Sequence, residues 1–223
     1  MPVIFSHRRT LRHTRSKYLH KLIHGLGFTH ESRSKYGATG GCRDSTTSCK
    51  GAASRNKIPS HFGHCFGCGE LHPTGLHLVA HAGEGQNLTA VFTVTEDHQG
   101  APGLAHGGLL SLAFDEALGK LMWLIRSPAV TARLETDFLL PVPLGTVLHI
   151  SAEITGQVNR KVYCSAVGRI DSVDGPIAVR AAALFVVVPM QHFLDNAPKA
   201  YLDHVTAHPE LLAFVDPEFE INP

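Results

Sequence analysis

The chain has 223 residues, 43% of them hydrophobic and 17% charged, with a net charge of +1. This is the composition of an ordinary soluble globular protein, with room for one domain and an appendage. No apolar run is long enough to cross a bilayer: Ala181–Met190, the best, has ten residues, against the roughly 20 a helix requires.

The charge is unevenly divided. Residues 1–57 hold twelve of the twenty Lys and Arg and two of the nineteen acids, giving +10; the remainder carries −9. The five cysteines, an odd count with no signal peptide, argue against a secreted disulfide scaffold and for a reducing, cytoplasmic location.

Residues 1–57 lack a stable apolar period and read as a mostly disordered extension, with one short helix around 17–26. The segment fits a nucleic-acid arm because it is basic, a transit peptide because it is rich in Arg and Ser, or a dispensable extension. No aromatic stacking platform accompanies its charge, so a nucleic-acid partner is not expected.

From Ile58 the pattern changes. Residues 76–81 and 87–94 read as strands, 105–126 as a helix ended by Ser127-Pro128, and 129–140, 146–158, 161–171 and 177–189 as four long strands. Their turn signals are Pro143-Leu144-Gly145, Val158-Asn159-Arg160 and Asp174-Gly175-Pro176. One buried helix followed by antiparallel-type strands is an α+β pattern. Such a helix is enclosed only if the sheet curls around it. These boundaries give a domain over 58–190 and a C-terminal tail over 191–223, with one short helix near 200–208.

The stretch 106–119, HGGLLSLAFDEALG, carries the chemistry. Leucines and alanines cover nearly the whole helix circumference, which marks it as buried. Glu116 has Lys120 four residues on, the order of a surface ion pair, and is expected at the wet edge. Asp115 lies between Ser111 and Gly119, one turn away on either side, and is expected to point somewhere enclosed. Gly107 and Gly108 open the helix with unpaired N–H groups at the positive end of its dipole, a place for developing negative charge.

Three stretches together resemble the PaaI-type hotdog-fold acyl-CoA thioesterases. They are Cys65-Phe-Gly-Cys-Gly with Pro73-Thr-Gly-Leu-His-Leu, His98-Gln-Gly-Ala-Pro-Gly-Leu-Ala-His-Gly-Gly followed by Asp115-Glu116, and Thr131-Ala-Arg-Leu with Phe138-Leu-Leu-Pro-Val-Pro-Leu-Gly. The resemblance covers about residues 62–190. It implies a hotdog fold, an antiparallel sheet wrapped around one long central helix. It implies hydrolysis of an acyl-CoA to free acid and coenzyme A, without a cofactor. It places the oxyanion donor on the Gly107 N–H, with His106 beside it, the carboxylate on Asp115 and a helper hydroxyl on Thr131. Gln99 falls where many relatives have Asn. Two subunits are expected to join, as a homodimer or homotetramer, each site drawing its halves from opposite subunits.

Asp115 acts either as general base toward water or as a nucleophile forming an anhydride, and the sequence leaves both open. Arg160 and Lys161, at a predicted hairpin, are placed either to meet coenzyme A phosphates or to form a solvated turn. His61, His64, Cys65 and Cys68 are four candidate zinc ligands. Packed into eight residues they make a cramped site, no second Cys-x2-Cys follows, and no metal is expected. A hotdog domain that binds acyl-CoA without turning it over is the alternative reading, against which the joint presence of Asp115 and Thr131 stands.

Overall fold

In the computed structural model, residues 57–208 are described. The extension before them, with its expected helix, lies outside the described residues. Seven strands form one antiparallel sheet: β1 (Lys57–Ile58), β2 (Val79–Ala82), β3 (Asn87–Thr93), β4 (Ala129–Phe138), β5 (Val147–Val158), β6 (Lys161–Ile170) and β7 (Ile177–Val187). Their order is β1-β2-β3-β5-β6-β7-β4. The long helix α1 (Gly107–Leu124) packs against this sheet, and two short helices follow, α2 (Gln191–Asn196) and α3 (Lys199–Ala207).

The expected elements are present with small shifts at their ends. The strand read from residue 76 starts three residues later, because the Leu76 and Leu78 N–H groups bond instead to the carbonyls of Phe66 and Gly67. The region after 190 carries two short helices rather than one, and Leu194 and Val205 bury them against the domain.

Alternation along the strands explains the core. Val162, Cys164 and Ala166 on β6 and Ala181, Ala183 and Phe185 on β7 all face α1 and are buried. A period of two puts such residues on one face of the sheet. Phe114 is fully buried and lies over Gly168, where even a single Cβ would come within 2.7 Å of the Phe114 ring. The missing side chain on β6 is what admits the aromatic ring.

Among the described residues, strand β4 forms one edge of the sheet and pairs with β7 alone. Its register slips between Thr131 and Arg133: Thr131 pairs with Phe185 and Arg133 with Leu184. In an uninterrupted strand residues 131 and 134 would face opposite sides. The bulge at Ala132 turns both Thr131 and Leu134 toward the helix side. Phe138, Leu139 and Leu140 follow, all exposed. An open edge strand of ten residues, ending in the exposed Phe138, is a template for pairing with another chain.

Phe114→Ala should lower unfolding free energy by about 3–5 kcal/mol, the usual cost of emptying a well-packed aromatic site. Chemical denaturation measures this; an unchanged midpoint would show that the α1–β6 contact is not central to the core.

Candidate active site

The loop before α1 is held by its own backbone. The buried His98 accepts a hydrogen bond at Nδ1 from the Thr95 N–H (3.0 Å), and its carbonyl accepts from the His106 N–H (2.8 Å). The Gly100 N–H bonds to the Leu104 carbonyl, and a Cβ on Gly100 would collide with the backbone of His106. Gly103 has φ +77°, which only glycine adopts without strain. Gln99 Oε1 accepts from the Gly103 N–H at 2.9 Å, so this side chain closes the loop. His98 was not singled out from the sequence, yet it anchors the loop from both its ring and its carbonyl.

The loop delivers His106 as the N-cap of α1, where its Nδ1 accepts from the Gly108 N–H at 2.9 Å. The Gly108 N–H is therefore taken. Gly107 is the first helical residue, a position whose N–H has no partner inside a helix. The ring of Phe138 lies in van der Waals range of the space above it.

Two turns along, Asp115 Oδ1 accepts a hydrogen bond from Thr131 Oγ1 at 2.8 Å. The pair lies on an exposed face of the chain, so Asp115 is only half-buried rather than enclosed. Its carboxylate opens on a cavity of about 490 Å³, whose wall includes Met122, Trp123 and Phe185 with Leu194, Leu202 and Val205 from α2 and α3.

Glu116 departs from its expected place at the wet edge. Its side chain is 11% exposed and that of Lys120 only 2%. Their ion pair is long, 3.6 Å, and the Lys120 ammonium also donates to the Pro59 carbonyl at 2.8 Å. The physical reason is the segment from Pro59 to Leu78, which folds over this face of the helix and buries both groups. Gly67 makes the cover possible, because a Cβ there would overlap the Glu116 carboxylate.

Under that segment Glu116 meets His61, Cys65 and Cys68, whose ligand atoms all lie within 4.8 Å of one another. Burial lifts the Glu116 carboxyl to about 7; Cys68 adds to the rise, while Lys120 and His61 oppose it. A hydrogen bond between the two thiols raises Cys65, which burial and Glu116 raise further. The same bond lowers Cys68 against the effect of burial, with help from His61 and Lys120. Burial alone would lower His61, but Cys68 and Glu116 carry it upward on balance. His64 does not join this set. Cys164, on β6, is buried, and that burial pushes its thiol up to about 12.

Arg160 sits in the two-residue turn between β5 and β6, next to Asn159 at φ +53°. Lys161 pairs with Val186, one step along from the Val162–Phe185–Thr131 row. It therefore shares the sheet end of Thr131, two strands away, roughly 10 Å. Its side chain alternates to the outer face, away from α1.

Residues 102–173, from the loop before α1 to just past β6, match the thioesterase superfamily. This stretch is similar to thioesterases, and the sheet with its one long packed helix is a hotdog fold. Among curated proteins it is similar to acyl-coenzyme A thioesterase THEM4 of Xenopus laevis, 32% identical over 88 residues, 40% of this chain and 39% of that protein. It is also similar to THEM4 of Bos taurus, 37% identical over 76 residues, 34% of this chain and 30% of that protein. The chain thus spans well under half the length of these relatives. Among solved structures, the PaaI protein of E. coli aligns with TM-score 0.47 at 17% identity, over 51% of this chain and 81% of that one. No helix among the described residues of the hotdog domain is long and apolar enough to cross a membrane.

Lys120→Met should destabilise the domain by about 3–5 kcal/mol, because it strands a buried carboxylate. Adding Glu116→Gln should recover part of that loss in a denaturation series. An equal or larger loss in the double variant would show that Lys120 acts through Pro59 alone.

Proposed function

We propose that the chain hydrolyses acyl-CoA thioesters, with Asp115 as the catalytic carboxylate and the Gly107 N–H as the oxyanion donor. One observation carries this reading. The Asp115–Thr131 pair, 2.8 Å apart, stands at the mouth of an apolar cavity, on the helix whose first N–H is unpartnered by position. The apolar wall suits an acyl chain, and the carboxylate stands where the thioester would end. The similarity to acyl-coenzyme A thioesterases supports the substrate class.

The spacing along α1 supports a shared site. Gly107 and Asp115 are eight residues apart, which on an α-helix is about 12 Å. The attacked carbonyl carbon and its oxygen need a base and a donor within hydrogen-bonding reach of one small group. One helix cannot supply both to one thioester. A second copy, joined through the open β4 edge and the exposed face of α1, would bring its Gly107 to the first copy's Asp115. The exposure of Phe138, beside Gly107 and on β4, fits such an interface.

In this arrangement Asp115 takes a proton from a water molecule as the water oxygen bonds to the thioester carbon. The carbonyl oxygen gains negative charge against the Gly107 N–H. Collapse of that intermediate breaks the carbon–sulphur bond and releases the free acid, and coenzyme A leaves as a thiolate that takes the proton held on Asp115, restoring the carboxylate. Thr131 is a positioning residue: its hydroxyl donates to Oδ1 and fixes the carboxylate's orientation. His106 shapes the helix start by holding the Gly108 N–H. Gln99 serves the loop, and Arg160, in the turn at the sheet end, supplies positive charge for the coenzyme's phosphates, whereas Lys161 lies on the outer face and is not placed to join it.

Asp115→Asn should lower kcat by about 10²–10⁴-fold in a folded protein, the usual weight of a general base. Thr131→Val should cost about 10–100-fold in kcat, the worth of a hydrogen bond to a charged group. Thr131→Ser should retain most of the rate. Gly107→Pro tests the donor by itself. Proline fits the first helical position, and His106, with ψ 128°, already has the extended backbone that precedes a proline. It removes the N–H while keeping the helix, so kcat should fall with little change in thermal stability. A thiol-release assay over a panel of acyl-CoAs measures all four, and near-normal turnover in folded Asp115→Asn would end the proposal.

A further inference from the structure

We infer that His61, Cys65, Cys68 and Glu116 hold a zinc ion that fastens the segment from Pro59 to Leu78 onto α1, next to the cavity. The inference does not depend on thioester hydrolysis. The cramped set of four ligands from residues 61–68 is not what the fold assembles. It replaces His64 by a carboxylate from a different element, α1.

The four ligand atoms all lie within 4.8 Å of one another, and three of their spacings are those of a coordination shell, so a small inward shift of the others closes it on an ion. Cys68 Sγ lies 3.4 Å from His61 Nδ1, Cys65 Sγ lies 3.4 Å from Glu116 Oε2, and His61 Nδ1 lies 3.8 Å from Glu116 Oε1. Tetrahedral zinc, with bonds of about 2.3 Å to sulphur and about 2.0–2.2 Å to nitrogen and oxygen, sets its ligand atoms about 3.3–3.8 Å apart. Two soft thiolates with an imidazole and one carboxylate select zinc over the hard dications. Four protein ligands close the shell, which makes the site structural and leaves no open position for a reacting water.

The surroundings fit the charge. Two thiolates and a carboxylate around a dication leave one negative charge, and the buried Lys120 ammonium, 3.6 Å from Glu116 Oε1, offsets it. Ser60 Oγ lies 3.3 Å from Cys68 Sγ, and the Gly69 N–H bonds to the Cys65 carbonyl at 2.8 Å, bracing both cysteines from outside the shell. Gly67 stands between the two cysteines, where a side chain would displace the carboxylate. The Glu116–Lys120 pair by itself leaves the second carboxylate oxygen facing the thiols, where an ion would use it. A bound zinc also gives the irregular 59–78 segment a fixed seat, since the binding energy of a structural metal is folding energy. Cys65 and Glu116 line the cavity beside Asp115, so the ion sets one wall of the acyl pocket.

The test is metal analysis of the full chain purified under reducing conditions and reconstituted with zinc. Cys42 and Cys49, in the basic extension, are first replaced by serine so that they cannot bind. One zinc per chain is expected in this variant, falling to the level of the buffer blank when Cys65→Ser and Cys68→Ser are added. Cobalt in place of zinc should give thiolate charge-transfer bands with the strong visible bands of a tetrahedral site. In Glu116→Gln the charge-transfer bands should persist while the visible bands shift. Metal content at the blank in the Cys42/Cys49 variant overturns the inference. So does zinc that survives the loss of Cys65 and Cys68, or a Cys65–Cys68 disulfide seen by mass spectrometry in the reduced preparation.

Discussion

Two adjacent carboxylates on the one long helix set the organisation of this domain. Consecutive residues on an α-helix point about 100° apart, so Asp115 and Glu116 cannot serve the same neighbour. Asp115 faces the edge strand β4 and receives the Thr131 hydroxyl. Glu116 faces the 59–78 segment and meets Lys120, His61 and the two cysteines. Each carboxylate thus fixes a different element against α1, and the cavity opens between them. The sheet behind the helix supplies the rigid support, with Gly168 admitting Phe114 so that α1 sits close to the strands.

Much of this was legible in the sequence because the relevant signals are periodic or local. The α1 pattern and the four long strands were readable to within a few residues, since alternation and turn residues mark them directly. Asp115 and Thr131 stood out as a candidate pair, and their hydrogen bond places them together. What escaped reading was long-range. Glu116 and Lys120 have the spacing of a surface pair, and nothing within the helix reveals that residues 59–78 cover them. The β4 bulge at Ala132, which turns Thr131 inward, leaves no mark in the strand's composition. His98 looks like a loop histidine until its ring and carbonyl are seen to clamp the entry to α1. The same blindness to distant chain segments hid the fourth member of the His61–Cys65–Cys68 cluster.

The pocket joins these parts. One wall comes from α1 and the sheet, a second from α2 and α3, and the rim from the segment carrying His61 and Cys65. The rim and the C-terminal helices are irregular or short, so their seating decides the pocket's shape more than the rigid core does. A metal clamp on the rim and apolar docking by Leu194 and Val205 are two separate means of holding those walls. The Asp115–Thr131 pair, by contrast, lies on an open face, beside a sheet edge that is unpaired among the described residues. That placement makes sense for a site completed by another copy, where burial of the carboxylate comes with assembly.

The most direct test of that central claim is activity in a defined mixed dimer. One copy would carry Asp115→Asn and the other Gly107→Pro, each with its own affinity tag, and the mixed species would be isolated through both tags. A site shared between copies leaves one of the two sites with both groups intact, so about half of the unaltered activity should return. If each copy works alone, both sites in the mixed dimer stay defective. Turnover no higher than that of the two parent variants would contradict the account.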